Sequence, residues 1–69
     1  MSSQSELFDR AAECWRRVLA VSDSRKLSLK HLCEMWIALA NESPTMSKLD
    51  LDREVASIEA MQARIDPQH

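Results

Sequence analysis

The chain of 69 residues contains no glycine. A β-rich fold of this size depends on tight turns, and the turns that join neighbouring strands most often place glycine at positive φ. The composition is instead rich in alanine, leucine, glutamate and arginine, which have high helix propensity. The absence of glycine therefore predicts an all-α fold.

The length of the chain predicts one domain, residues 1–69, with a small core. Domains of this size bury only about 60% of their unfolded surface, and many gain support from a disulfide, a metal or a second subunit. A hydrophobic content of 45% and a charged content of 29% predict a globular chain. Two cysteines are too few for a disulfide framework, and the sequence shows neither a signal peptide nor a membrane span. We therefore expect a cytoplasmic protein with reduced thiols.

Two segments that each carry a tryptophan show apolar residues at helical spacing. The first covers residues 4–21 and begins with a capping box formed by Ser3 and Glu6. Its apolar stripe is Leu7, Phe8, Ala11, Cys14, Trp15, Val18 and Leu19. The second covers residues 29–41, with Ser28 as its N-cap and Leu27 and Leu32 as a hydrophobic staple. Its stripe is Leu29, Leu32, Cys33, Trp36, Leu39 and Ala40. The polar residues 22–28 predict a linker, so the two helices form an antiparallel hairpin that turns near Arg25.

A third helix is predicted over residues 48–66, with Ser47 as its N-cap and Pro67 after its end. Its apolar positions follow the four-and-three spacing of a coiled-coil seam. The seam consists of Leu51, Val55, Ile58, Gln62 and Ile65. We interpret the one polar member, Gln62, as a hydrated edge rather than a device that fixes register. The helix either completes a three-helix bundle within the chain or joins two hairpins into a dimer. The small size of the chain favours the dimer, with Leu51, Val55, Ile58 and Ile65 as interaction residues.

Charge is distributed unevenly along the chain. Residues 16–31 carry five basic residues against one acid, Asp23, and the basic residues are Arg16, Arg17, Arg25, Lys26 and Lys30. We expect them to form a basic turn, which is solvated, contacts an acidic protein, or contacts nucleic-acid phosphates. A helix-turn-helix is disfavoured because its recognition helix would be the third helix, and the nucleic-acid backbone would repel its four acids: Asp50, Asp52, Glu54 and Glu59.

The cysteines and the internal histidine offer little chemistry in this pattern. Cys14 and Cys33 lie on apolar stripes, which is typical of cysteine acting as a small buried hydrophobe. With a turn near Arg25, Cys14 lies opposite Trp36, and the two sulfurs are offset by nearly a helical turn, outside disulfide geometry. His31 and Cys33 point about 200° apart on a helix and cannot share a metal ion or act as a nucleophile–base pair. We expect no catalytic residue, no metal site and no cofactor, and hence no enzyme.

Two short patterns remain, Arg10-Ala11-Ala12-Glu13-Cys14 and a run from Leu29 through Leu32, Cys33 and Trp36 to Ala40. Together they resemble a family of short helical-hairpin proteins abundant in alphaproteobacteria. The pattern of that family runs Arg-Ala-x-Glu-Cys, an acidic turn, and Leu-x-x-Leu-Ala-x-x-Trp-x-x-Leu-Ala. The resemblance covers residues 8–40, with Cys33 where the family prefers alanine, and it implies a bacterial helical hairpin without implying an activity.

The sequence therefore predicts a small, non-enzymatic helical interaction or regulatory module that self-associates. Its expected partner is a second copy or another protein, and we expect no membrane association. The alternative function is a nucleic-acid-associated regulator that acts through the basic residues between Arg16 and Lys30.

Overall fold

The computed structural model describes residues 3–65. Three α-helices follow one another along the chain: α1 (Gln4–Val18), α2 (Asp23–Glu42) and α3 (Lys48–Ile65). A short 3-10 helix, Ser43–Thr45, lies between α2 and α3. The described residues contain no strand, so the prediction of an all-α fold with three helices is confirmed.

The predicted capping box of α1 is present. The Ser3 hydroxyl accepts a hydrogen bond from the Glu6 amide at 3.2 Å, and the Glu6 carboxylate accepts one from the Ser3 amide at 3.1 Å. Helix α1 ends at Val18, before the predicted end at residue 21. The backbone turns more tightly there, since the amide of Ala20 donates a hydrogen bond to the carbonyl of Arg17 at 2.9 Å. The tighter spacing, from residue i to i−3, is common in the last turn of a helix.

The predicted start of the second helix is wrong, because α2 begins at Asp23 rather than at residue 29. Ser22 occupies the N-cap position, and its carbonyl accepts hydrogen bonds from the amides of Arg25 at 3.0 Å and Lys26 at 3.2 Å. Asp23 in the first turn suits the positive end of the helix dipole. The polar residues therefore form the exposed first turns of α2. The proposed staple is also wrong, since the side chain of Leu27 is 78% exposed.

Helix α2 continues to Glu42, and Pro44 lies in the 3-10 helix that follows it. Ser47 caps α3 as predicted, because its hydroxyl accepts the Asp50 amide at 3.1 Å. The described part of α3 ends at Ile65. The predicted last residue of this helix, number 66, and the proline after it lie outside the described residues.

All three helices contribute to one hydrophobic core. Helix α2 packs against both α1 and α3, whereas α1 and α3 contact each other much less. The core consists of Leu7, Ala11, Cys14 and Val18 of α1, Leu29, Leu32, Cys33, Trp36, Leu39 and Ala40 of α2, and Leu51, Val55 and Ile58 of α3. Helices α1 and α2 are antiparallel, since the side chain of Gln4 donates to the carbonyl of Ala40 at 3.0 Å. The stripe predicted for the second helix is confirmed in full.

The stripe predicted for the first helix is only partly buried. Phe8, Trp15 and Leu19 are 40%, 38% and 83% exposed, so their assignment to the core is wrong. Helix α3 packs against α2 on the side of Arg10, which pairs with Glu59 of α3, and does not cover them. The expectation that each helix of the hairpin buries a tryptophan holds for Trp36 alone.

Candidate functional site

The predicted interaction seam of α3 lies inside the chain. Leu51, Val55 and Ile58 are buried in the common core, and Ile65 is partly buried against it. The sequence left open whether this helix completes a bundle or joins two chains, and the structure has the first arrangement. A second chain would reach these side chains only if α3 separated from α2.

A set of polar contacts around Trp36 fastens α3 to the hairpin. The indole is 1% exposed, and its Nε1 donates a hydrogen bond to Gln62 Oε1 at 3.1 Å. The guanidinium of Arg10 lies 5.2 Å from the centroid of the Trp36 ring, and it also pairs with the Glu59 carboxylate at 2.5 Å. We call these four residues the Trp36 cluster. It links all three helices through one buried side chain.

Gln62 is the member of the Trp36 cluster whose role the sequence interpretation missed. We interpreted it as a hydrated edge of the seam, yet its amide oxygen satisfies the only polar atom of the buried indole. A buried tryptophan N–H almost always finds an acceptor, since leaving it unpaired costs free energy. Two features of the sequence together could have indicated this hydrogen bond: the single polar residue in the seam of α3 and the tryptophan in the centre of the stripe of α2.

The five basic residues do not form a turn. The turn comprises residues 19–22 and contains none of them, because Arg25, Lys26 and Lys30 lie within α2. Arg16 pairs with Glu13 at 3.0 Å and Lys26 with Asp23 at 3.5 Å, each on its own helix. Arg16 and Arg17 project about 100° apart around α1. At least two of the five positive charges are therefore partly neutralised by an acid on the same helix.

An exposed apolar row runs along α1 to its C-cap, Leu19, and it includes three residues that the sequence interpretation assigned to the core: Phe8, Trp15 and Leu19. Phe8, Ala12, Trp15 and Leu19 follow one another at intervals of four, three and four residues, and all four are exposed. This is the spacing of a coiled-coil seam. The row lies about 200° around the helix from Arg10, which contacts α3. We call these four residues the α1 seam, and it opens on the side of the hairpin away from α3.

A groove of about 570 Å³ lies between α2 and the end of α3. Its apolar walls come from Leu27, Leu32, Met61 and Ile65, and its polar rim comes from Ser28, Lys30, His31, Glu34 and Arg64. The rim mixes cations with an acid. Within residues 3–65 there is no group of three histidine, cysteine, aspartate or glutamate side chains placed to hold a metal ion. His31 is an exposed residue of this rim, and its side chain points away from Cys33 as expected.

The two cysteines are buried as predicted, but their predicted offset is wrong. Both are fully buried, and Cys14 Sγ lies 3.7 Å from the carbonyl oxygen of Leu29, the residue one turn before Cys33. Burial, together with a hydrogen bond and a charge interaction with Cys14, raises the pKa of the Cys33 thiol to about 12. The two thiols are thus neighbours across the interface of α1 and α2. Because α2 begins at Asp23, the turn lies at residues 19–22 rather than near Arg25. This change shifts the register of the two helices and brings the two thiols together.

None of the helices in the described part of the chain is long and apolar enough to cross a membrane. The sequence matches no family model, and neither a curated protein nor a solved structure matches it.

Proposed function

We propose that the chain is a small, non-enzymatic interaction module that self-associates through the α1 seam. The observation that supports this is the exposure of Phe8 and Trp15 on the same face of one helix, 40% and 38% exposed. Aromatic residues are enriched at protein interfaces, and adjacent exposed ones mark contact surfaces more often than scattered leucines do. A small domain also gains stability when a second subunit covers such a surface.

The partner that fits this surface is a second copy of the chain. In a two-fold symmetric dimer, if residue i of the first copy contacts residue j of the second, then residue j of the first also contacts residue i of the second. If two α1 helices cross antiparallel at Ala12, Phe8 of each copy lies near Trp15 of the other. The small side chain of Ala12 at the centre allows the helices to approach closely. The seam is therefore complementary to itself.

The charges along one edge of the seam fit the same arrangement. Asp9 and Arg16 are exposed and lie two helical turns apart on that edge. The antiparallel crossing places Asp9 of one copy beside Arg16 of the other. Arg16 would then leave its ion pair with Glu13 and pair with Asp9 of the other copy. This change costs little free energy, because exposed ion pairs contribute at most about 1 kcal/mol. Charge pairs of this kind fix orientation, and the apolar seam supplies most of the affinity.

Sedimentation equilibrium of the full chain over a range of concentrations tests the proposal. We expect the wild-type chain to dimerise and the double variant Phe8→Ser/Trp15→Ser to remain monomeric with unchanged helical circular dichroism. Leu49→Ser is the matched control, because Leu49 is 67% exposed on α3 and lies outside the seam. A wild-type chain that stays monomeric at high concentration, or an equal loss of association in the control, would refute the proposal.

A charge exchange tests the orientation of the two copies. Asp9→Arg should weaken dimerisation by placing like charges together, and Asp9→Arg/Arg16→Asp should restore it. If the double exchange associates no better than the single one, the helices do not cross antiparallel at Ala12.

Three further expectations from the sequence remain proposals. Nucleic-acid binding by the basic residues is a weaker candidate, since Arg16 and Lys26 already pair with acids on their own helices; absence of DNA binding at low salt would remove it. Membership of the alphaproteobacterial hairpin family rests on residues 8–40 alone. A cytoplasmic location agrees with two cysteines that are not joined in a disulfide.

A further inference from the structure

The contact between Cys14 and Cys33 is a feature that self-association does not use. Both thiols are fully buried in the core, where a valine or an alanine would pack without chemical reactivity. The sulfur of Cys14 approaches the carbonyl oxygen of Leu29 at 3.7 Å. Side chains on a helix lean toward its N-terminus, so the Cys33 side chain covers this same turn of α2. The packing of α1 on α2 thus places two thiols side by side.

We propose that Cys14 and Cys33 are a site of reversible oxidation, at which a small-molecule disulfide such as oxidised glutathione converts the two thiols into an intramolecular disulfide. The bond would join α1 to α2 in the middle of their interface. A small buried residue, Ala11, lies three residues before Cys14 on α1. Small residues bring two helix backbones close, and a disulfide requires Cα atoms no more than about 7 Å apart.

The chemistry balances in two exchange steps. The thiolate of one cysteine attacks a sulfur of the small disulfide, which forms a mixed disulfide and releases one small thiolate. The thiolate of the second cysteine then attacks the protein sulfur of that mixed disulfide and releases the second small thiolate. The two protons from the protein thiols end on the two released thiols. The protein loses two electrons, and the small disulfide gains them.

Access of the oxidant controls the rate of the first step. Both cysteines are shielded from solvent while the hairpin is closed, and burial keeps the pKa of Cys33 at about 12, so its reactive thiolate is scarce. The oxidant therefore reacts when α1 and α2 separate transiently. Closure then brings the second thiol against the mixed disulfide. Oxidation is slow in the stable folded chain and faster when the hairpin is loosened.

The test is oxidation of the full chain with oxidised glutathione, acid quenching, alkylation of remaining thiols and intact mass spectrometry. The expected product is a monomer lighter by two hydrogen atoms, with no alkylated thiol. Trypsin should then release one linked pair of peptides, residues 11–16 and 31–48. A low concentration of urea that leaves the chain folded should accelerate the reaction. Dithiothreitol should reverse it.

The disulfide should also stabilise the fold. The bond closes a loop with 18 residues between the two cysteines. Closing a loop of this length in the unfolded chain raises the folding equilibrium constant on the order of 100-fold when the native geometry is unstrained. The oxidised chain should melt roughly 10 °C or more above the reduced chain.

Control variants separate native proximity from chance cross-linking. Cys14→Ser and Cys33→Ala each leave one thiol and should give only a glutathione adduct. The double variant Cys14→Ala/Glu13→Cys moves one thiol to the exposed side of α1 and should form much less of the intramolecular bond. The proposal is overturned if the wild type gives only glutathione adducts or linked dimers, if it does not react, or if the double variant cross-links equally fast. It is also overturned if the disulfide lowers the melting temperature. None of these outcomes depends on the α1 seam.

Discussion

Trp36 is the residue whose replacement should damage this fold most. Its ring is 1% exposed, its N–H is bonded to Gln62, and the guanidinium of Arg10 lies over its face. It lies on α2, which packs against both of the other helices. Replacement by alanine therefore removes packing on both sides of α2 and leaves Arg10 and Gln62 without their common partner.

The expected loss is large relative to the stability of the domain. Deleting a buried aromatic side chain costs about 3–5 kcal/mol. Of this, the hydrogen bond to Gln62 contributes about 1 kcal/mol and the cation–π contact with Arg10 about 0.5–1 kcal/mol. A domain of this size is stable by roughly 3–10 kcal/mol, at about 0.05–0.15 kcal/mol per residue. Trp36→Ala should therefore leave much of the chain unfolded at room temperature.

Urea unfolding followed by far-ultraviolet circular dichroism measures this loss. Trp36→Phe is the graded variant: it keeps most of the ring and loses the hydrogen bond, so we expect a cost of about 1–3 kcal/mol. Lys26→Ala is the control, since Lys26 holds only an exposed pair with Asp23 and should change stability by less than about 0.5 kcal/mol. If Trp36→Ala unfolds at the same urea concentration as Lys26→Ala, our account of the Trp36 cluster is wrong.

Three further predictions concern other parts of the fold. Ser47→Ala should destabilise the chain by about 0.5–2 kcal/mol in urea unfolding, because the Asp50 amide loses its cap. Leu32→Ala should cost about 2–5 kcal/mol, whereas exposed Leu27→Ala should cost almost nothing; equal costs would show that Leu27 is buried. The pKa of Cys33 is about 12 in the folded chain against an ordinary 9.0, so its protonated thiol favours folding. This contribution is complete below about pH 9 and is lost as the pH rises toward 12. Melting temperatures of the wild type should fall more steeply over that interval than those of Cys33→Ala.

Local patterns in the sequence were sufficient for much of this fold. The caps at Ser3 and Ser47 were predicted because each serine precedes an apolar-periodic segment by the right number of residues. The buried stripe of α2 was predicted in full because its residues repeat at intervals of three and four. These features depend on residues close in sequence, and the wider packing does not alter them.

The start of α2 was not predictable in the same way. Ser22 and Ser28 are both acceptable N-caps, and serine and aspartate occur in linkers as readily as in first turns. The helix that begins at Asp23 is more stable than one that begins at residue 29, because residues 23–28 gain backbone hydrogen bonds while their side chains remain largely in solvent. That single error displaced the expected turn, and the displaced turn separated Cys14 from Cys33 in our prediction. A mistake at a helix boundary thus became a mistake in register.

The α1 seam was missed for a different reason. Periodicity defines the apolar face of a helix, but neighbouring helices decide which part of that face is covered. Helix α3 packs on the side of Arg10, so Phe8 and Trp15 on the opposite side remain exposed. No local pattern indicates on which side of the hairpin α3 settles. The contact that shows this side is the pair of Arg10 and Glu59, and these two residues are 49 positions apart in the sequence.

The sequence separation of the contacts between helices also predicts the order in which they form during folding. Cys14 reaches Leu29 across 15 residues, whereas Arg10 reaches Glu59 across 49. Contacts between nearby residues cost less loop-closure entropy and form sooner. We therefore expect the hairpin to assemble first and α3 to pack against Trp36 afterwards. The exposed bond between Arg10 and Glu59 is then among the last contacts to form during folding and among the first to break when the chain begins to open.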